Sequence, residues 1–231
     1  MARKRKRKNQ VTQQRKDQDF KAKTSGQTEY VRAIAENRLV ICTGPPGTGK
    51  TSCAIGVACE RLKANQIKRI VISRPTVETS KRGLGFIPGK LEEKFSAYTR
   101  PVIAELKKYL GITKYNSHCY AGSIIFEPLE YMRGMNYHDS FVILDEGQNA
   151  EYEQLKMFVT RMGQNSTFVI NGDLKQNDLW DRNDKLFHDE IGLYDVITKL
   201  ENINGVSHVK LQNSDIVRDP FIGVLAQALD E

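Results

Sequence analysis

Gly44-Pro45-Pro46-Gly47-Thr48-Gly49-Lys50-Thr51 constrains the fold of this chain more than any other stretch. It fits the phosphate-loop pattern G-x-x-x-x-G-K-[ST], and its flanks fit as well. Leu39 to Thr43 before it is a short apolar run that reads as a buried strand. After it, Ala54, Ala58 and Leu62 recur at helical spacing, with Ile55 and Cys59 beside them. An ordinary Gly/Pro turn does not need all four fixed positions and both flanks. The pattern predicts that the loop of Gly44, Pro45, Pro46, Gly47, Thr48 and Gly49 wraps the phosphates, its glycines letting backbone N–H groups turn inward onto phosphate oxygens at the positive end of a helix. Lys50 then reaches the β- and γ-phosphates, and the Thr51 hydroxyl ligates Mg²⁺.

Phe141-Val142-Ile143-Leu144-Asp145-Glu146 is the second informative stretch. An apolar run ending in two carboxylates reads as a buried strand delivering acids to the C-terminal edge of an open α/β sheet, where ligands bind. Asp145 is the candidate metal support, and Glu146 the candidate base that polarises a water for attack on the γ-phosphate. Asn149 is placed to cap a helix whose Leu155, Phe158, Val159 and Met162 share one face. Thr167 to Ile170 reads as a further strand, and Gln176 beyond its tip is the candidate γ-phosphate sensor. Asp219-Pro220 signals the start of a last helix. Arg218 just before it fits either a phosphate-contacting arginine finger or an ion pair with Asp215 or Asp219.

Other segments fill in the α/β pattern. Thr24-Ser25-Gly26-Gln27 opens a helix through about Glu36. Gln27 fits two roles, one half of a capping box with Thr24 or an adenine contact just upstream of the phosphate loop. Arg69 to Ser73 is a strand ended by Arg74-Pro75, and Arg74 reads either as a contact to a nucleic-acid phosphate or as a solvated charge. Residues 76–90 are too glycine-rich for a helix and read as a long exposed loop. A helical pattern runs from Leu91 to about Leu110, with Pro101 marking a break or kink. Residues 112–123 fit no single pattern, Ile124 to Phe126 reads as a strand and Tyr131 to Met135 as a short helix or turn. A helix near Ile191 to Leu200 and a short strand at His208 to Leu211 follow.

Charge separates a tail from a body. Residues 1–24 carry ten Lys/Arg against Asp17 and Asp19, a net +8, whereas the whole 231-residue chain is +7. The body, residues 25–231, is therefore near neutral. The tail has almost nothing apolar before Phe20, too little to offset its ordering entropy. Such a run is either an electrostatic handle for nucleic acid or a solubilising arm or targeting signal. Cys42, Cys53, Cys59 and Cys119 lack C-x-x-C spacing and read as reduced thiols of a cytoplasmic protein. No apolar run is long enough to span a membrane. The four histidines lack ligand spacing, so no metal site made of protein groups alone is expected.

The chain resembles the PhoH-like ATPase family, which is related to the core domain of superfamily 1 helicases. Gln27 to Tyr30, GPPGTGKT at 44–51, Arg74-Pro75, LGFIPG at 84–89, YMRG at 131–134 and ILDEGQN at 143–149 carry the resemblance. Met157 to Arg161, GDLKQ at 172–176 and DIVRDP at 215–220 continue it in order. Gly147 and Pro46 stand where that family usually has alanine. The resemblance implies a RecA-like P-loop NTPase fold of class α/β, three layers α/β/α with a mainly parallel central sheet. It implies ATP and Mg²⁺ as cofactors, hydrolysis coupled to single-stranded RNA or DNA, and translocation or unwinding. It favours Gln27 as adenine contact, Gln176 as sensor and Arg218 as finger. Helicases of that superfamily close a nucleotide between two such cores. A homo-oligomer, as a ring or otherwise, would let Arg218 complete a neighbour's site. Two rival readings remain, a nucleotide-gated binding module without turnover and a small-molecule kinase. The adjacent acids Asp145-Glu146 argue against the kinase, since transfer to water wants a carboxylate base.

Overall fold

The computed structural model describes residues 18–75, 91–174 and 192–217. Six strands among them form one all-parallel sheet: β1 (Leu39–Thr43), β2 (Arg69–Arg74), β3 (Ile124–Pro128), β4 (Ser140–Leu144), β5 (Thr167–Gly172) and β6 (Val206–Lys210). Their order is β3-β2-β4-β5-β1-β6. Between and before them lie α1 (Ser25–Glu36), α2 (Lys50–Lys63), α3 (Leu91–Leu110), α4 (Ile112–Tyr120), α5 (Tyr152–Val159) and α6 (Gly192–Leu200).

Strands β1 and β4 are buried along their whole length, which is why they read as unbroken apolar runs. Alternate residues serve opposite layers. Val40, Cys42, Ile70, Phe141, Ile143 and Val169 pack beneath α1 to α4. Leu39, Ile41, Val71, Val142, Phe168 and Ile170 pack beneath α5 and α6. The result is three layers, α/β/α, with the loop-bearing β1 and the acid-bearing β4 separated by β5. This is the RecA-like arrangement. Among the described residues no helix is long and apolar enough to cross a membrane.

Several local expectations change. Asn149 does not cap α5: it ends a 3₁₀ turn, Gly147–Asn149, and Glu151 is the N-cap. The Gln154 side chain reaches back to the Glu151 N–H at 2.9 Å, so the short acidic-and-glutamine pair outcompetes the asparagine. Met162 lies beyond α5, in an isolated bridge to Tyr137. Pro101 does not break α3, which is held by the packing of Val102, Leu106 and Tyr109 into the core. Residues 112–120 are helical as α4. The tail expected over residues 1–24 gives way by residue 18 to chain lying on the body. Gln18 N–H donates to the Lys108 carbonyl, and Phe20 packs edge-on against Tyr109 at 5.8 Å. Gly56 of α2 leaves room for that ring, since a Cβ there would lie 2.4 Å from it. The loop at 76–90 and the final helix fall outside the described residues.

Candidate nucleotide-binding site

Because every strand is parallel, their C-terminal ends meet at one edge. There β1 runs into the phosphate loop, β2 ends at Arg74, β4 delivers Asp145-Glu146 and β5 ends in Gly172-Asp173. Thr48 is buried and its hydroxyl donates to the Pro45 carbonyl at 2.8 Å, tightening the loop. Gly49, the N-cap of α2, has φ +83°, a left-handed conformation that glycine adopts readily. A Cβ there would also lie 2.8 Å from Gln27 Nε2. Lys50 Nζ donates to the Gly44 and Pro45 carbonyls at 2.5 and 3.1 Å. Burial pushes its ammonium below the ordinary lysine value, and the acids Asp173, Glu146 and Asp145 pull the other way.

The structure brings the loop and the acids together. Thr51 Oγ1 donates to Asp145 Oδ1 at 2.7 Å. Asp145 is 5% exposed, and burial raises its carboxyl above the usual value, against the opposing Arg74 charge and the Thr51 hydrogen bond. Arg74 Nη2 lies 3.3 Å from Asp145 Oδ2 and 2.9 Å from Glu146 Oε1. Arg74 therefore faces the acids. Glu146 has φ +58°, uncommon for a residue with a side chain. Its other oxygen accepts from Gln148 Nε2 at 2.8 Å, and Gln148 Oε1 accepts from the Asp173 N–H at 3.0 Å. A hydrogen-bonded chain thus links the tips of β2, β4 and β5.

Gln27 is 3% exposed, and its amide is turned onto protein backbone. Nε2 donates to the Thr48 carbonyl at 2.9 Å and Oε1 accepts from the Lys23 N–H at 2.8 Å. Thr24 caps α1 through its side chain at 3.1 Å, but Gln27 does not return the bond to Thr24 as a capping box would. Its side chain braces the phosphate loop instead. The chain beyond β6 also touches the loop, where Val217 N–H donates to the Gly47 carbonyl at 3.1 Å. Asp215 sits nearby. Burial pushes its carboxyl up, but hydrogen bonds from the Thr24 side chain and the Gln212 and Gly26 N–H groups outweigh that and hold it below the usual value. Gln176 and Arg218 lie outside the described residues. Arg74 as the acids' partner and Gln148 as the bridge between strand tips were missed by the sequence reading. Each follows directly on a strand end or on the acid pair, and that position was the available signal.

The donor set suits a small hard cation. Mg²⁺ takes oxygen ligands, commonly one or two from the protein with the rest from phosphates and water. Thr51 and Asp145 present a hydroxyl and a carboxylate side by side at the mouth of the loop. A cleft of about 930 Å³ lies at the opposite edge, among Asn37, Arg38, Arg61 and Thr167. The C-terminal ends of α1 and α2 fall on that side, and helix C-termini disfavour phosphate.

Parallel sheet, strand order and loop define the chain as a P-loop NTPase domain of α/β class. The sequence pattern of the PhoH-like protein family matches residues 19–230. The chain belongs to that family. It is 40% identical over 222 residues to a PhoH-like protein of Bacillus subtilis, covering 96% of this chain and 67% of that one. A PhoH-like protein of Synechocystis is 35% identical, with 94% and 64% covered. The chain thus spans roughly two thirds of the length of these relatives. Among solved structures it is similar to a Sulfolobus solfataricus SWI2/SNF2 ATPase core in complex with dsDNA, at 15% identity and TM-score 0.42, covering 84% of this chain and 45% of that one.

Proposed function

We propose that this chain hydrolyses ATP with Mg²⁺ and couples turnover to single-stranded RNA or DNA. The observation that carries the reading is the Thr51–Asp145 hydrogen bond, which sets the loop against the acids. Gly44 to Gly49 cradle the phosphates, with Gln27 holding the Thr48 carbonyl from behind. Lys50 turns from the loop carbonyls to the β- and γ-phosphates. Thr51 and Asp145 hold the metal, which when bound neutralises charge on the phosphate oxygens. Glu146 takes the proton of the attacking water. To do so it must free an oxygen now held by Arg74 or Gln148. Gln176 and Arg218 act as sensor and finger, the latter completing a neighbouring copy's site. The basic tail supplies the nucleic-acid contact, and its charge is what supports that partner.

Phosphate release measured with and without RNA and single-stranded DNA tests the reading, with Glu146→Gln as the control. Stimulated release that the variant loses supports it. Release that requires a consumed phosphoryl acceptor would point to a kinase. The double engagement of Glu146 favours a second reading, a nucleotide-gated binding module, and nucleotide binding without turnover would establish that one instead.

A further inference from the structure

One buried polar pair beneath the site has no role in the reading above. Tyr30 on α1 is fully buried and donates its hydroxyl to Asn171 Oδ1 at 2.6 Å. Asn171 is 1% exposed, and its Nδ2 has no hydrogen-bond partner. Buried amide donors are almost always satisfied, because an unmet one forfeits its hydration for nothing. The location of this one is informative. Leu144 pairs with Ile170, so the next step of the register sets Asp145 beside Asn171. Ile143 and Val169 face the α2 layer, and the alternation of two turns Asp145 and Asn171 to that same side. Tyr30 also lies within electrostatic reach of Asp145.

We propose that Asn171 is a positioning residue of the metal–triphosphate site: Tyr30 fixes the plane of its amide, and the remaining N–H serves an oxygen gathered on the Asp145 side when Mg·ATP binds. This rests on the nucleotide-site reading given above. The alternative is a purely structural tie between α1 and β5. The two differ in what happens when both polar groups are replaced by apolar groups of similar shape. A structural tie removed from both ends is neutral or stabilising and leaves ligand binding alone.

The test is the double variant Tyr30→Phe/Asn171→Leu, with Tyr30→Phe alone as companion. Melting of the protein is measured without nucleotide, and a fluorescent ATP analogue is titrated with Mg²⁺ and again with EDTA. The double variant should melt no lower than the parent, lose about tenfold or more of its Mg²⁺-dependent affinity, and keep its affinity in EDTA, as loss of an outer partner of a metal site does. Tyr30→Phe should show a smaller loss of the same kind. Parental Mg²⁺-dependent binding by a folded double variant overturns the proposal. Should the double variant fail to fold, unchanged Mg²⁺-dependent binding by Tyr30→Phe overturns it. A parent that binds no Mg·ATP would remove the nucleotide-site reading itself, and this proposal with it.

Discussion

Thr51 and Asp145 stand 94 residues apart in the chain and are joined by a hydrogen bond of 2.7 Å across the mouth of the phosphate loop. The hydroxyl does two jobs in the proposed site, satisfying a buried carboxylate and presenting a lone pair to the metal. Thr51→Val keeps the shape and removes both. It should weaken Mg²⁺-dependent ATP binding about tenfold or more, while Thr51→Ser should stay near the parent. Titration of a fluorescent ATP analogue in Mg²⁺ checks this, and equal affinity of the valine and serine variants would sink it.

Asp145 makes a pH prediction of definite sign. Its folded carboxyl lies above the ordinary value of 3.8, because burial outweighs Arg74 and Thr51. Below that value the acid is neutral in both folded and unfolded chains, and its charge costs nothing. As pH rises through it the unfolded chain ionises first, so the fold loses stability until its own, higher pKa is passed. Asp145→Asn should therefore melt above the parent at neutral pH, with the gap closing in acid, and should lose turnover. A variant less stable than the parent at neutral pH would mean that the Arg74 and Thr51 contacts outweigh burial.

The parallel sheet and the loop were legible in the sequence because each rests on local chemistry. Leu39 to Thr43 and Phe141 to Leu144 are continuous apolar runs since both their faces are covered, and the loop pattern has four fixed positions. Arg74 was legible as a residue at a strand tip but not as the partner of Asp145 and Glu146. That pairing follows from β2 lying beside β4, and nothing local encodes strand order. Gln27 was ambiguous for a similar reason. Capping is local, but its bond to Thr48 depends on how α1 docks against the loop. Asn149 misled because a cap residue close to a helix start looks the same as one two residues nearer.

Arg74 Nη2 lies 2.9 Å from Glu146 Oε1, so it competes with water for an oxygen of the proposed base. Arg74→Gln should raise ATP turnover without nucleic acid and shrink the stimulation that nucleic acid brings. Phosphate-release assays with and without RNA read both quantities. A fall in basal turnover would instead place Arg74 on the phosphates during the reaction.

Phe20 ties the chain that follows the basic run to α2 and α3. Its ring is partly buried against Tyr109 and over Gly56. Phe20→Ala should cost about 1–2 kcal/mol from lost apolar burial. For a domain of this size that lowers the melting temperature by roughly 3–6 °C. Calorimetry or thermal circular dichroism measures it, and an unchanged melting temperature would show that this contact contributes nothing.

Gly147 directly follows the acid pair Asp145-Glu146. A Cβ there would lie 2.6 Å from Ile170 Cγ2 and 3.3 Å from the Asn171 carbonyl. Ile170 is fully buried in the core layer shared with α5 and α6, so it has little room to retreat. Gly147→Ala should therefore destabilise this chain by about 1–3 kcal/mol, the usual cost of an overpacked core. Leucine at position 170 lacks the offending branch methyl. Ile170→Leu combined with Gly147→Ala should recover most of the loss, giving a coupling of about 1 kcal/mol in a double-mutant cycle. Additive costs in that cycle would mean that the Asn171 carbonyl, and not Ile170, is what excludes a side chain at 147.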